Sequence, residues 1–537
     1  MDHSTGCDDA MMFQWNKVWA LRYGGAILSG VMLAASFPGW NQSTLIYTAL
    51  VPLLLAVQSL SARQAALLSW LSGVVFYGLS LSWFWQMTNT VDAWVFKFGT
   101  GGALLFIVSY CAIYFVPFGV AATWCGRVWL DGSFLKNIRI MMFMTALWTG
   151  LEYLRGKLFT GFGWNALGIS QHANPATIQI AEWGGVAIVS AVIVWMNMGV
   201  FLTIRQYVQR QQLKKYRPHF ELMLGLIPLA LSIAFGMQVL FGVSASGVPV
   251  QVGLIQPNVP QTARRDAQLV REIRERLETL SSAALRMNEV ELLVWPETAL
   301  PDYVRLSFSS RALVNRLTHD GIPLLVGTMD FSEGPQERVL HNSSLLFDGS
   351  LEAVGTYHKQ HLVPFGEYVP FPGLFRSMSP LDVDFTAGVA STLFRLPGKA
   401  PFSVLICFED TMGALARRAV QGGARWLINQ TNDAWFDPSA QSEQHLAHAI
   451  FRCVENRVPM VRSCNTGVTS IIDSFGRVNR RLKPQTSGFL VGIVHPAPVE
   501  QKETQYTKLG DRFAQAMGVA GGVVLLLLGW RVRKIEI

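Results

Sequence analysis

Eight apolar stretches decide most of what this chain can fold into. Seven lie before residue 244, at 20–37, 44–60, 65–87, 100–126, 138–156, 180–205 and 220–242, and an eighth runs from Phe513 to Trp530. A helix needs about 17–25 residues to cross the hydrocarbon of a bilayer. Hydrocarbon holds no water to satisfy a free N–H or C=O, so such stretches cross as helices. The second stretch is short for a span, and the sixth includes interfacial residues. From residue 244 to 512 no comparable run occurs, and the charged residues, sparse up to Ser244, reach the density of a water-facing domain. The whole-chain averages, 50% hydrophobic and 15% charged with a mean hydropathy of +0.29, blend these two unlike parts. The expected organisation is a membrane domain of seven transmembrane helices over 1–243, a polar domain over 244–512, and a closing transmembrane helix with a basic tail over 513–537.

Loop charges set the orientation. Lys17 and Arg22, then Arg63, then Arg127, Lys136 and Arg139, then Arg205, Arg210, Lys214, Lys215 and Arg217, and finally Arg531, Arg533 and Lys534 all fall in alternate loops. The opposite loops carry only Lys97, Arg155 and Lys157. Positive loops stay cytoplasmic. Both termini are therefore expected in the cytoplasm and residues 244–512 outside, in the periplasm of a Gram-negative cell. The first apolar run has no small-x-small cleavage site and reads as a retained signal anchor. The net charge of +8 is a topology signal with a lipid-facing surface, and no nucleic-acid partner is expected.

The outer loops are aromatic. Trp83, Phe84, Trp85 and Trp94 follow the third stretch, and Phe159, Phe162 and Trp164 follow the fifth among Gly156, Gly161 and Gly163. An interfacial belt accounts for them; the sharper reading is a lipid-access surface or re-entrant segment facing the outer domain, with Glu152, Arg155 and Lys157 meeting a lipid headgroup. The six cysteines show no CxxC or paired spacing, which argues against zinc or a disulfide framework. Cys453 and Cys464 read as structural thiols, with a disulfide between them as the alternative.

The outer domain alternates strand and helix patterns. Strands are expected at Val248–Ile255, Glu291–Trp295, Pro323–Gly327, His341–Phe347, Ala353–Tyr357, Phe402–Ile406, Trp426–Asn429, Pro459–Arg462, Thr469–Asp473 and Phe489–Ile493, with helices over Arg264–Met287, Leu306–Leu317, Gly413–Gln421 and Gln441–Asn456. This is a layered α/β pattern. Three polar residues stand at strand ends: Glu297 after Leu-Leu-Val-Trp-Pro, Lys359 after Thr-Tyr-His, and Cys407 after Val-Leu-Ile. A nucleophilic thiol needs a base. A carboxylate can serve, and a lysine can stabilise the oxyanion of a carbonyl under attack. Singly these residues are unremarkable surface charges or a core thiol; together they form an acyl-transfer set that needs no metal or cofactor. His445 and His448 are four residues apart, but they lack the glutamate that a zinc HExxH site carries between its histidines, and they read as packing residues.

At these residues the chain resembles the carbon–nitrogen hydrolase (nitrilase) superfamily, and more closely its membrane branch, the apolipoprotein N-acyltransferases. The carrying stretches are Leu254–Gln261, Trp295–Ala299, Lys359–Pro370, Ile406–Glu409 and Thr431–Phe436, with the run from His361 to Pro370 the most specific. The resemblance implies an α-β-β-α sandwich for 244–512. It implies Glu297 as general base, Lys359 as oxyanion stabiliser and Cys407 as nucleophile, supported by Glu367, by Glu409 and by the backbone N–H of Phe408. It further implies ping-pong transfer of an acyl chain, through a cysteine thioester, from a membrane phospholipid to the N-terminal amine of a diacylglyceryl-cysteine, the last step of bacterial lipoprotein maturation. A monomer in the inner membrane is expected, because both substrates arrive by lateral diffusion.

Three positions depart from that family's pattern. Phe408 stands where a tyrosine is frequent, Asp437 where a glycine is common, and Arg265 where a tryptophan is often found. They touch loop closure and substrate preference and leave the triad intact. Two other readings exist: a membrane-tethered amidase or nitrilase acting on a small amide, and a transporter with a ligand-binding outer domain. Eight spans are a large anchor for the first, and the sequence shows no internal repeat of the kind the second commonly carries.

Overall fold

The computed structural model describes residues 5–89, 94–129, 133–159, 161–213, 220–242, 247–260, 267–287, 289–333, 338–350, 352–376 and 384–536. Arg265 lies outside them.

The apolar stretches form long helices, though fewer qualify as spans than the eight expected. Among the described residues, Lys17–Ala35, Gly99–Val128, Val186–Val208, Phe220–Phe241 and Arg512–Ile535 are long and apolar enough to cross a membrane. Ala62–Ser80 and Ser82–Thr88 make a sixth if this pair, bent by 51°, is one span. The stretch at 44–60, short for a span, is not one continuous helix. It breaks into a 3-10 turn, Ser43–Tyr47, and a short helix, Val51–Ala56. Asn197 heals the break: its amide oxygen accepts from Leu50 N at 2.9 Å and its nitrogen donates to Ile46 O at 2.8 Å. Irregular backbone at membrane depth is tolerated where protein supplies such partners. The stretch at 138–156 lies in the helix Phe134–Arg155, which is 22 residues long but carries Lys136, Arg139, Glu152 and Arg155. It packs along Arg512–Glu536, and Gly150 meets Gly518 so closely that Gly150 has no room for a side chain. Small residues permit this kind of backbone approach between membrane helices.

Eleven strands follow: β1 Val250–Gln256, β2 Leu292–Val294, β3 Leu324–Glu333, β4 Arg338–Phe347, β5 Gly355–His358, β6 Phe402–Ile406, β7 Trp426–Thr431, β8 Met460–Cys464, β9 Ser470–Ile472, β10 Val478–Arg481 and β11 Gly488–Val494. They form two sheets, ordered β11-β1-β2-β3-β4-β5 and β10-β9-β8-β7-β6. The strands β1, β2 and β3 run parallel, as do β6, β7 and β8. Parallel strands need both faces covered, and they are. Val252, Leu254, Val404, Ile428 and Val461 fill the space between the sheets. Helices Ala267–Met287 and Phe308–Thr318 cover the first sheet. Helices Gly413–Gln421 and Gln441–Asn456 cover the second, which completes the α-β-β-α order. The expected strands are present, most with ends shifted by a few residues. The short, largely exposed β10 was not anticipated, because Val-Asn-Arg-Arg has no apolar alternation.

The outer layer of the second sheet does not face solvent. Its apolar side chains belong to the same continuous core as the membrane helices: Leu446, Ile450 and Phe451 join Phe37, Leu81, Trp83 and Trp164. Fifteen of the sixteen residues of Gln441–Asn456 are buried, Glu443 being the exception. Polar contacts pin this junction. Gln444 Oε1 accepts from Trp83 Nε1 at 3.0 Å and from Trp164 Nε1 at 2.7 Å, while Gln444 Nε2 donates to Pro38 O and Ser80 O at 3.3 and 3.1 Å. Glu455 accepts from Val186 N at 3.1 Å, and Arg457 pairs with Glu182 at 2.7 Å. One side chain thus satisfies groups from three membrane-domain segments. Gln444→Leu leaves two indole N–H groups and two carbonyls buried without partners, so it is expected to destabilise the protein by about 3 kcal/mol or more. Denaturant unfolding of the full chain in detergent checks this; an unchanged midpoint refutes it.

Candidate active site

The carboxyl ends of β2, β5 and β6 converge at one end of the sandwich. Pro296 and Glu297 follow β2, Lys359 follows β5 directly, and Cys407 follows β6 directly. The chain turns sharply at the thiol: Cys407 has φ +52°, a left-handed conformation that is uncommon for a residue with a side chain. Two carbonyl contacts hold it there. Asn429 Nδ2 donates to Cys407 O at 3.1 Å and His445 Nε2 lies 3.3 Å from the same oxygen. Strain of this kind persists only where the surroundings over-determine it, and it clusters at functional sites. The thiol itself is only partly buried.

Lys359 is almost wholly enclosed, at 1% exposure, and sits between two carboxylates. Its Nζ donates to Glu367 Oε1 at 2.8 Å and lies 3.5 Å from Glu297 Oε1. Asn342 Nδ2, from β4, donates to both of those oxygens at 2.8 Å. The remaining oxygens are taken by backbone: Asn432 N donates to Glu297 Oε2 and Val363 N to Glu367 Oε2, each at 2.8 Å. Burial alone would lower the lysine's pKa, but the charges of Glu367 and Glu297 outweigh it and raise it above the ordinary range. Lys359 is therefore a permanent cation. The Cys407 thiol is pushed well above its usual value by burial and by Glu297, with Lys359 acting the other way. Glu297 and Lys359 thus act on the sulfur in opposite senses, the carboxylate favouring the thiol and the ammonium the thiolate. This is the charge arrangement that general-base activation of a nucleophile requires.

Glu409 plays a different part. It is fully buried, and its two oxygens accept from Ile406 N at 2.7 Å, Tyr357 Oη at 2.8 Å, Gln360 N at 2.7 Å and His361 N at 3.0 Å. Burial raises its pKa while these donors oppose the rise. Four bonds on one carboxylate tie the turn that bears Cys407 to the segment that bears Lys359. Phe408 looks the other way, toward the membrane domain. Its ring lies parallel to Trp164, within 3° at 5.9 Å, and stacks with Phe162 at 6.4 Å and His361 at 6.0 Å. The aromatic loop after the fifth apolar stretch therefore reaches the residue beside the thiol.

Glu152, Arg155 and Lys157 do not meet at a headgroup site. Arg155 is buried and donates to Phe162 O and Trp164 O, both at 2.8 Å, with its guanidinium over the Tyr77 ring. Glu152 accepts from Trp148 Nε1 and Leu167 N, and Lys157 pairs with Asp511 at 3.0 Å. They shape the loop that carries Phe162 and Trp164. Cys453 and Cys464 are separate buried thiols. Asp437 is held by Gln485 Nε2 at 3.3 Å, and burial pushes its carboxyl up to about 6.

Sequence patterns did not single out Asn342, Asp410 or Arg462; they placed Asn432 and Asp433 in a carrying stretch without a role, and read His445 as a packing residue, where the structure puts it in a buried ion cluster with Asp410, Asp433 and Arg462. One signal was available: polar residues inside otherwise apolar strands, as in Leu340-His341-Asn342-Ser343-Ser344. Glu409→Gln keeps the shape but turns an amide N–H₂ toward N–H and O–H donors. It is expected to cost about 3 kcal/mol or more of stability, checked by unfolding beside the wild type; a loss below about 1 kcal/mol refutes the role.

Comparison with known proteins agrees with this geometry. Residues 29–199 match the model for the apolipoprotein N-acyltransferase N-terminal domain, and residues 251–502 match carbon–nitrogen hydrolase. An apolipoprotein N-acyltransferase of Geobacter metallireducens is 35% identical over 520 residues, covering 95% of this chain and 96% of that one. One from Methylococcus capsulatus is 30% identical, covering 95% and 96%. A third, apolipoprotein N-acyltransferase 1 of Treponema denticola, is 28% identical with 94% of each chain covered. Relatives of this identity span nearly the whole chain, helices and sandwich together, and on that ground the chain belongs to the apolipoprotein N-acyltransferase family of the carbon–nitrogen hydrolase superfamily.

Proposed function

We propose that Cys407 carries an acyl chain as a thioester between a membrane phospholipid and the N-terminal amine of a lipoprotein's diacylglyceryl-cysteine. The observation that carries this reading is the stack of Phe408 on Trp164 and Phe162. The residue next to Cys407 packs on an aromatic loop of the membrane helices, which supports access to the turn by two substrates with acyl chains that stay in the bilayer.

In the first half-reaction Glu297 takes the Sγ proton as sulfur attacks the ester carbonyl. The oxyanion forms against Lys359 Nζ and the backbone N–H of Phe408. The ester C–O bond breaks, the lysophospholipid oxygen takes the proton back from Glu297, and the thioester remains. In the second half the amine attacks the thioester carbon, Glu297 receives the amine proton, the C–S bond breaks and the sulfur is reprotonated. Glu367 and Asn342 keep Lys359 and Glu297 in register throughout. The aromatic loop limits water at the thioester, which is what favours transfer over hydrolysis. In this reading residues 1–243 and 513–537 are the membrane domain, both termini are cytoplasmic, and residues 244–512 stand in the periplasm on the inner membrane. A monomer suffices, because each triad member comes from one chain.

Intact-mass analysis after incubation with phosphatidylethanolamine vesicles tests the assignment. The wild type is expected to gain one acyl-sized mass that hydroxylamine removes, and Cys407→Ala to gain none. An acyl adduct on Cys407→Ala overturns the reading. Glu297→Gln, measured as the rate of adduct formation, is expected to lose about 10²–10⁴-fold; wild-type speed removes Glu297 as the base.

A further inference from the structure

Beneath the nucleophile turn lies a second set of ionised groups that the triad does not use. His445 is fully enclosed on helix Gln441–Asn456, at 1% exposure. Its Nδ1 is 3.0 Å from Asp433 Oδ1, and its Nε2 is 2.8 Å from Asp410 Oδ1 and 3.3 Å from Cys407 O. All three facing atoms are acceptors. A neutral imidazole would aim a lone pair at one of them, so the geometry demands both ring nitrogens protonated. Asp410 also meets Arg462 of β8 in a close ion pair. Two carboxylates and two cations therefore balance in a buried pocket, where an unpaired charge is costly.

The connections run to both halves of the reaction. Asp410 follows Cys407 within the same 3-10 turn, Cys407–Thr411. Asp433 follows Asn432, whose N–H holds Glu297 Oε2. The partner of Asp410 Oδ1 is His445 Nε2, at 2.8 Å, so the imidazolium is what meets its charge on that side. We infer that His445 is a positioning residue: as an imidazolium held between Asp410 and Asp433, it locks the turn bearing Cys407 against the segment that orients Glu297, and keeps the net charge under the thiol at zero. This rests on the reading of Cys407 as nucleophile.

The groups facing His445 are Asp410 from the turn, Asp433 from the segment after β7, Arg462 from β8, the Cys407 backbone carbonyl, and the indole of Trp164 from the membrane domain at 5.8 Å. His448, one turn along its own helix, is kept neutral: burial pushes it well below the usual range, and its Nε2 accepts from Asn165 N at 3.4 Å. Burial works against the charge on His445, but Asp410 and Asp433 outweigh it and raise the imidazole to about 9. A raised cation contributes stability fully below its unfolded value near 6.5, and that contribution is lost as pH climbs through about 9. Above this pH one net negative charge remains beneath the sulfur and opposes formation of thiolate and oxyanion.

The test is single-turnover acylation of the purified full-length protein in detergent, with a fluorescent phosphatidylethanolamine, from pH 6 to pH 10.5. Wild type, His445→Gln and the double variant His445→Gln/Asp433→Asn are compared. Wild type is expected to show a descending limb near pH 9. His445→Gln is expected to acylate about tenfold or more slowly at pH 7, with half-saturation by donor little changed and the limb absent. The double variant restores neutrality and is expected to regain part of the rate, which a purely packing role would not give. A wild-type profile flat through pH 9 overturns the inference even if His445→Gln does not fold. So does a limb unchanged in His445→Gln, or a double variant no faster than the single one. Adduct formation by Cys407→Ala in the same assay marks failure of the nucleophile assignment instead.

Discussion

Helix Gln441–Asn456 leaves only Glu443 partly open to solvent, and the rest of the molecule is arranged around that fact. One side packs under the strand that delivers Cys407, and the other is embedded in the membrane helices. A helix buried on nearly all sides must satisfy its polar side chains internally. Gln444 does so toward the membrane domain, through Trp83 and Trp164. His445, the next residue, does so toward the nucleophile turn, through Asp410 and Asp433. Adjacent residues on one helix thus link the bilayer-embedded helices to the turn that bears the thiol. This is why a nitrilase-type sandwich joined to membrane helices forms one continuous core with them.

The electrostatics of the upper site follow the same economy of charge. One ammonium serves two carboxylates, and Asn342 bridges those carboxylates from the other side. The surplus negative charge, that of Glu297 foremost, raises the pKa of the Cys407 thiol. The lower cluster is balanced, so it adds no further negative charge to that surplus. A buried ionic pair is often a poor source of stability compared with apolar packing. Here both clusters have a second use: they hold segments from β2, β4, β5, β6 and β7 in a single register around Cys407.

Much of this was legible before any coordinates. Phe402–Ile406, Gly413–Gln421 and Gln441–Asn456 match their expected bounds because each is set by local pattern: a mostly apolar strand ahead of Cys407, and amphipathic helices followed by Gly422 and by a left-handed Arg457. Glu297, Lys359 and Cys407 were legible as polar residues at the ends of apolar strands, and the structure brings all three together. The stretch at 44–60, short for a span by its length, is broken in a way that hydropathy does not register, because a distant amide, Asn197, repairs the break. Arg155 was misread as a headgroup ligand because loop position cannot tell a buried guanidinium bonded to carbonyls from one facing lipid.

The sequence by itself determined that the chain has a lipid-soluble part and a water-facing α/β part, and which strand ends carry reactive groups. Both follow from near-neighbour patterns: the length of an apolar run and the period of a strand or helix. Only the tertiary structure decided that His445 is a buried cation, that Gln444 joins helices more than 270 residues upstream, with |i−j| from 280 to 406, and that Phe408 abuts the membrane domain. Those properties depend on which distant groups share a low-dielectric pocket, and charge state and hydrogen-bond demand inside a protein are set by that company rather than by the residue's own chemistry.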